Sequence, residues 1–251
     1  MAYKASLIND LSLNVIGVNS NVDVYSEVFD PMQYYTLKYV RQTKFGSIHS
    51  KLNVSHRFAS TGTQFEVDAY PRIIPGLYAY LNFGFSDSFL YPDIRYGAEL
   101  HKSLPLSLEA SLGFRALKYS STTNIYTGSL AWYTGNSYWS FRVYVTPGEP
   151  KASKSGTLTY RKYRKDANNY LSIDAGMGFS PDIYRFDFEG NENTIINLKS
   201  QKLNFGYFFT SKNNKNYWGV QSGVYHQEIS FDPGNYFWIY SLSLSWEIKF
   251  R

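Results

Sequence analysis

Apolar and polar residues alternate along most of this chain. Leu77, Ala79, Leu81, Phe83 and Phe85 interleave with Tyr78, Tyr80, Asn82, Gly84 and Ser86. Leu106, Leu108, Ala110, Leu112 and Phe114 interleave with Ser107, Glu109, Ser111, Gly113 and Arg115. Leu171, Ile173, Ala175, Met177 and Phe179 do the same with Ser172, Asp174, Gly176, Gly178 and Ser180. Side chains at i and i+2 share one face of a strand, so each segment has an apolar face and a polar one. Each runs for about ten residues, the length of a tilted strand crossing a bilayer. The pattern predicts strands near 10–25, 33–44, 46–58, 62–72, 76–86, 94–102, 105–119, 122–134, 138–147, 152–165, 168–180, 196–211, 215–230 and 235–250.

Period two alone does not separate a membrane barrel from a soluble sandwich. Three features favour the barrel. The strands are long and numerous. The apolar face ends in aromatics (Tyr91, Trp132, Trp139, Trp218, Trp238 and Trp246), as interfacial girdles require. The connections also alternate between tight and long. Tight turns are expected at Phe45-Gly46, Ile74-Pro75, Ser103-Leu104, Gly135-Asn136, around Asp166–Asn168 and at Asn213-Asn214. With both termini in the periplasm all six lie on that side, and longer loops, Glu149–Ser153 and Asp182–Lys199 among them, lie outside. The expected fold is all-β: a closed antiparallel transmembrane β-barrel of about fourteen strands, with twelve as the alternative count. Residues 10–251 form the barrel and residues 1–9 an amino-terminal periplasmic extension.

Composition sharpens this picture. Aromatics make up 19% of the 251 residues, with 24 Tyr and 18 Phe, more than one soluble core needs. Only 43% of residues are hydrophobic and the mean hydropathy is negative. A barrel tolerates this because only alternate positions meet lipid. A helical membrane protein would need spans of about 20 apolar residues, and the sequence has none. Zero cysteines exclude disulfides, thiolate metal sites and a Cys nucleophile. The +5 net charge is dispersed, without the basic cluster of a nucleic-acid binder. No apolar leader follows Met1. The expectation is therefore the mature protein or its membrane domain, with a preceding soluble domain missing from the sequence.

Residues 238–250 read WIYSLSLSWEIKF, with Trp238, Tyr240, Leu242, Leu244, Trp246, Ile248 and Phe250 on one face. A final strand ending in Phe resembles the signal read by the outer-membrane assembly machinery, although Arg251 follows the Phe here. The plain alternative is the last strand of a soluble sheet.

Several stretches together resemble the YaiO family of outer-membrane β-barrels. They are DAYPRIIPGLYAYLNFGFS at 68–86, RYGAELHKSLPLSLEASLGFRAL at 95–117, YTGSLAWYTGNSYWSFRVYVTP at 126–147 and YRKYR at 160–164. The resemblance implies a Gram-negative outer-membrane location and no firmly assigned activity. Some members resemble exopolysaccharide-export barrels and carry an amino-terminal tetratricopeptide domain, which this chain lacks. Polysaccharide handover, and a polysaccharide or periplasmic tetratricopeptide domain as partner, is thus implied by analogy. The other expected partners are outer-membrane lipid and the assembly machinery; nucleic acid is not one.

The polar faces collect the candidate chemistry. Asp68, Tyr70, Arg72, Arg95, Glu99, Glu109, Arg115, Arg142 and Tyr144 are expected in the lumen, with Lys51, Arg57, Glu66, His101, Arg161 and Asp174. The plainer reading is a network of ion pairs that fills and stiffens the barrel, since confined charges are normally paired. The functional alternative is a permeation path or glycan-binding lumen, with Arg and carboxylates bonding to hydroxyls or anions and Tyr faces stacking on sugars. Glu99 and Glu109 lie near the middles of adjacent strands and could form a glycosidase-like pair, but Arg95 and Arg115 beside them favour ion pairing. A lipid-acting enzyme would centre on outward-facing His56, with Ser55 and Ser60 nearby; an interfacial histidine is the simpler reading. Asp182, Asp187, Glu189 and Glu192 offer oxygen donors for calcium but lack EF-hand spacing. No cofactor or metal is expected. The leading expectation is a passive channel or polysaccharide-export component; a structural or assembly partner comes second and an enzyme last.

Overall fold

In the computed structural model the described residues are 13–26, 29–148, 151–179, 199–229 and 232–251. They form fourteen antiparallel strands: β1 (Asn14–Tyr25), β2 (Met32–Thr43), β3 (Gly46–Arg57), β4 (Ser60–Ile74), β5 (Leu77–Phe85), β6 (Ile94–Leu104), β7 (Leu108–Lys118), β8 (Thr122–Thr134), β9 (Ser137–Thr146), β10 (Ser153–Tyr163), β11 (Tyr170–Phe179), β12 (Lys199–Thr210), β13 (Asn216–Ile229) and β14 (Asp232–Phe250). Each strand pairs with its neighbours in sequence, and β1 closes on β14 with Asn14 opposite Phe250. Closure leaves no open edge, so among the described residues the ladder N–H and C=O groups pair between neighbouring strands rather than with water, which is what a bilayer demands. Fourteen strands, rather than twelve, are present among the described residues.

The faces follow the alternation. Leu81, Phe83, Leu112, Phe141, Phe205, Leu242 and Leu244 point outward and are exposed, as lipid contact requires. Trp132 stands opposite Trp139 across β8 and β9, and Trp218 opposite Trp246 across β13 and β14. Both pairs lie near the end that carries the chain termini. Trp238 lies near the other end, beside the rings of His226. Tyr91 departs from the expected girdle. It belongs to the loop between β5 and β6, which folds inward, and its ring lies 5.8 Å from the Arg57 guanidinium.

The turns are less asymmetric than expected. At the terminal end the strands are joined over 44–45, 75–76, 105–107, 135–136, 164–169 and 211–215. At the far end 58–59 and 119–121 are equally short. Phe58 and Ala59 both take positive φ, 53° and 55°, the backbone of the primed two-residue turns that match strand twist. Neither is Gly or Asn, so the sequence carries no turn signal there; burial of Phe58 against an apolar cluster offsets the strain. The expected extension at 1–9 and the acidic residues of 182–192 lie outside the described residues.

Candidate functional site

The lumen wall has two unlike halves. Strands β3 to β9 carry long charged side chains, and β10 through β14 to β1 carry mostly Ser, Thr, Asn and Gly on their inner face. Most of the charges sit in pairs. Lys51 bridges Glu66 at 3.0 Å and also contacts Asp68. Asn82 donates to Glu66 at 3.0 Å and to Asp68 at 2.6 Å, and accepts from Arg95 Nε at 3.2 Å. Arg95 reaches on to Glu66 at 3.4 Å. Tyr80 donates to Asp68 at 3.0 Å. Across β1, Lys38 of β2 pairs with Glu247 of β14 at 2.5 Å.

Glycines make room for these long pairs. Gly84 lies in register between Glu66 and Arg95. A Cβ there would stand 2.9 Å from Arg95 Cγ, so only Gly lets that side chain lie along the wall. Gly176 plays the same part under Lys202, where a Cβ would stand 2.7 Å from Cε.

Glu99 and Glu109 do not form a face-to-face pair. Glu109 is the second residue of β7, opposite Ser103, whereas Glu99 lies opposite Gly113. His101 stands between them, with Nε2 3.4 Å from Glu99 and Nδ1 4.0 Å from Glu109. The cation that neutralises Glu99 is Arg142, at 2.7 Å, rather than Arg95 or Arg115. Arg142 reaches it from β9 because Ser111, Thr127 and Ser129 on the intervening strands are small. Arg142 also donates to Thr127 at 3.1 Å. Arg115 instead lies 5.6 Å from the ring centre of Tyr144. Asp68, Arg95, Glu99 and Arg142 are therefore all ion-paired within the wall.

His56 faces outward and makes a 3.0 Å hydrogen bond with Thr61, whereas neighbouring Ser55 faces the lumen and is fully buried. Adjacent strand residues point to opposite faces, so these two do not form a nucleophile and base.

The far end of the lumen is capped on one side. Tyr25, Met32, Phe237 and Ile239 form an apolar cluster in which Met32 is 1% and Ile239 2% exposed. Phe29, from the β1–β2 loop, meets Tyr25, Phe58 and Phe237 edge-on at 5.6 to 6.0 Å. Beside it Arg57 donates to the Leu90 carbonyl and holds the β5–β6 loop inward, its guanidinium near the rings of Tyr34 and Tyr91. This cap was missed from sequence, although Phe237 and Ile239 are apolar residues on an otherwise polar face, and that break in alternation is the available signal.

Three cavities follow the lumen. One of about 480 Å³ lies under the cap, lined by Asn19, Asn21, Asp23, Arg57 and Gln221 among others. One of about 360 Å³ adjoins it, sharing Asn19 and Gln221. The third, about 1120 Å³, opens at the terminal end. It contains four of the expected lumen residues, Tyr70, Arg72, Glu109 and Arg161. It also contains Tyr78, Tyr133, Tyr163 and Tyr170, which the sequence left dispersed. A register shift between Arg72 and Ile74 turns Ile73 and Ile74 to its rim.

An apolar, aromatic-belted exterior around a closed polar lumen defines a membrane β-barrel of the outer-membrane type. The model of the YaiO membrane beta barrel domain matches residues 13–183. The chain belongs to that family. No curated protein matches it. It is similar in fold to a structure described as a bacterial polysaccharide outer membrane secretin, with TM-score 0.56, 9% identity, and coverage of 96% of this chain and 99% of the other. The Acinetobacter baumannii outer membrane protein Omp33 gives TM-score 0.54 at 10% identity, covering 96% of this chain and 100% of the other. Pseudomonas aeruginosa OpdQ gives 0.50 at 8%, covering 97% and 100%. At these identities the likeness is one of fold.

Proposed function

We propose that this protein is a passive conduit of the Gram-negative outer membrane, a channel or component of exopolysaccharide export, and that it is not an enzyme. The observation that carries the reading is the polar lumen holding cavities of about 480, 360 and 1120 Å³ along its length. Hydroxyls, amides and paired charges on that wall suit a hydrated, hydroxyl-rich solute. The terminal end then faces the periplasm, where a tetratricopeptide domain could deliver the chain, and β14 is the strand offered to the assembly machinery.

One observation favours a second reading, a closed barrel acting as a structural or assembly partner: the Phe29 cluster and the Arg57–Leu90 clip occupy the far mouth. Single-channel recording in planar bilayers separates the two. Steady current that neutral and acidic oligosaccharides block is the outcome expected of the conduit. Stable insertion without current, both in the native chain and after Phe29→Ala or Arg57→Ala, would overturn it in favour of the closed barrel.

A further inference from the structure

In the 1120 Å³ vestibule at the terminal end Arg161 is held by rings rather than by a carboxylate, as Arg57 and Arg115 are elsewhere in the lumen. Arg161 lies 5.4 Å from the ring centre of Tyr138 and 5.2 Å from that of Tyr170. Its Nε makes no hydrogen bond. Among the described residues neither Arg161 nor Arg72 forms an ion pair, whereas Lys38, Lys51, Arg95 and Arg142 all do. The acid lining this cavity, Glu109, already accepts from the Tyr78 hydroxyl at 3.1 Å and has His101 beside it.

Removing a guanidinium from bulk water without a carboxylate is costly, and aromatic faces return only part of that cost. A guanidinium over rings keeps its N–H donors in its own plane, where they match the two oxygens of a carboxylate. Tyrosines supply flat faces with hydroxyls at their edges: Tyr70, Tyr78, Tyr133 and Tyr163 line the cavity beside Tyr170, whose ring already meets Arg161 and Phe208. Its volume exceeds the ~300–1,000 Å³ of small-molecule pockets, so it has room for more than one ring of a chain.

We propose that the vestibule binds a segment of an acidic oligosaccharide, whose sugar rings lie on the tyrosine faces and whose carboxylate is forked by Arg161, with Arg72 adding positive charge near the rim. This rests on the conduit reading and names the class of its solute.

The test is calorimetric titration of the detergent-purified full chain with trigalacturonate, maltotriose and tetraglutamate. Trigalacturonate is expected to bind at least about tenfold more tightly than maltotriose, the scale of a charge-assisted hydrogen bond. Tetraglutamate, which lacks sugar rings, is expected to bind more weakly than trigalacturonate. Arg161→Gln is expected to remove the preference for the acidic sugar over the neutral one, and Arg161→Lys to restore part of it. Heat-modified gel mobility checks that each variant is folded, and Arg72→Gln is the second variant should Arg161→Gln not fold. Equal affinity for the acidic and neutral sugars, no binding of either, or tetraglutamate binding as tightly as trigalacturonate would each overturn the proposal. The titration needs no current. Binding in a barrel that does not conduct removes the conduit alone, and current without selective binding removes this site alone.

Discussion

Arg142 on β9 meets Glu99 on β6 at 2.7 Å, across the inner faces of two intervening strands. Glu99 is 5% exposed. Arg142→Met leaves that carboxylate without its guanidinium, and the expected loss of stability is about 2–4 kcal/mol, because a buried charge stripped of its partner costs more than the pair contributes. Adding Glu99→Gln to Arg142→Met is expected to recover part of the loss. Urea midpoints in detergent micelles measure both; an unchanged midpoint for Arg142→Met would show that the pair is idle.

The Gly84 position makes a sharper structural prediction. A side chain there meets Arg95 Cγ and the Phe65 carbonyl, at 2.9 and 3.2 Å from the Cβ alone. Gly84→Val is expected to destabilise by about 1–3 kcal/mol, the range for overpacking, and to displace Arg95 from Glu66. Gly76→Ala is the control for backbone strain, since Gly76 has φ +77° but its nearest contact is at 3.5 Å. A melting temperature for Gly84→Val equal to that of the native chain would contradict the packing argument.

The cap predicts a gain of function. Phe29→Ala removes three edge-on ring contacts, and Arg57→Ala releases the β5–β6 loop from the Leu90 carbonyl. Liposome swelling in small sugars is expected to speed up several-fold in either variant, and further in the double variant. Identical swelling rates would mean that the cap does not set the permeability.

The last strand carries a prediction about assembly. Phe250 is exposed on the outer face of β14. Phe250→Ala is expected to slow insertion into proteoliposomes that contain the outer-membrane assembly machinery, with little effect on unassisted folding in detergent. Equal slowing in both would place the effect in barrel stability instead.

Alternation by itself settled much of this protein. It determined that the chain is all-β, where most strands lie, and which face each side chain shows, because a strand's period of two leaves no freedom once one face must meet lipid. It thereby put Asp68, Arg95, Glu99 and Arg142 in the lumen. Only the tertiary structure decided what they meet there. Glu99 finds Arg142 three strands away, Tyr91 leaves the girdle for Arg57, and Arg161 joins Tyr70 and Arg72 at one mouth. These partners depend on barrel closure and register, which place residues of distant sequence at one height in the wall, and no local pattern of apolar and polar positions encodes that height.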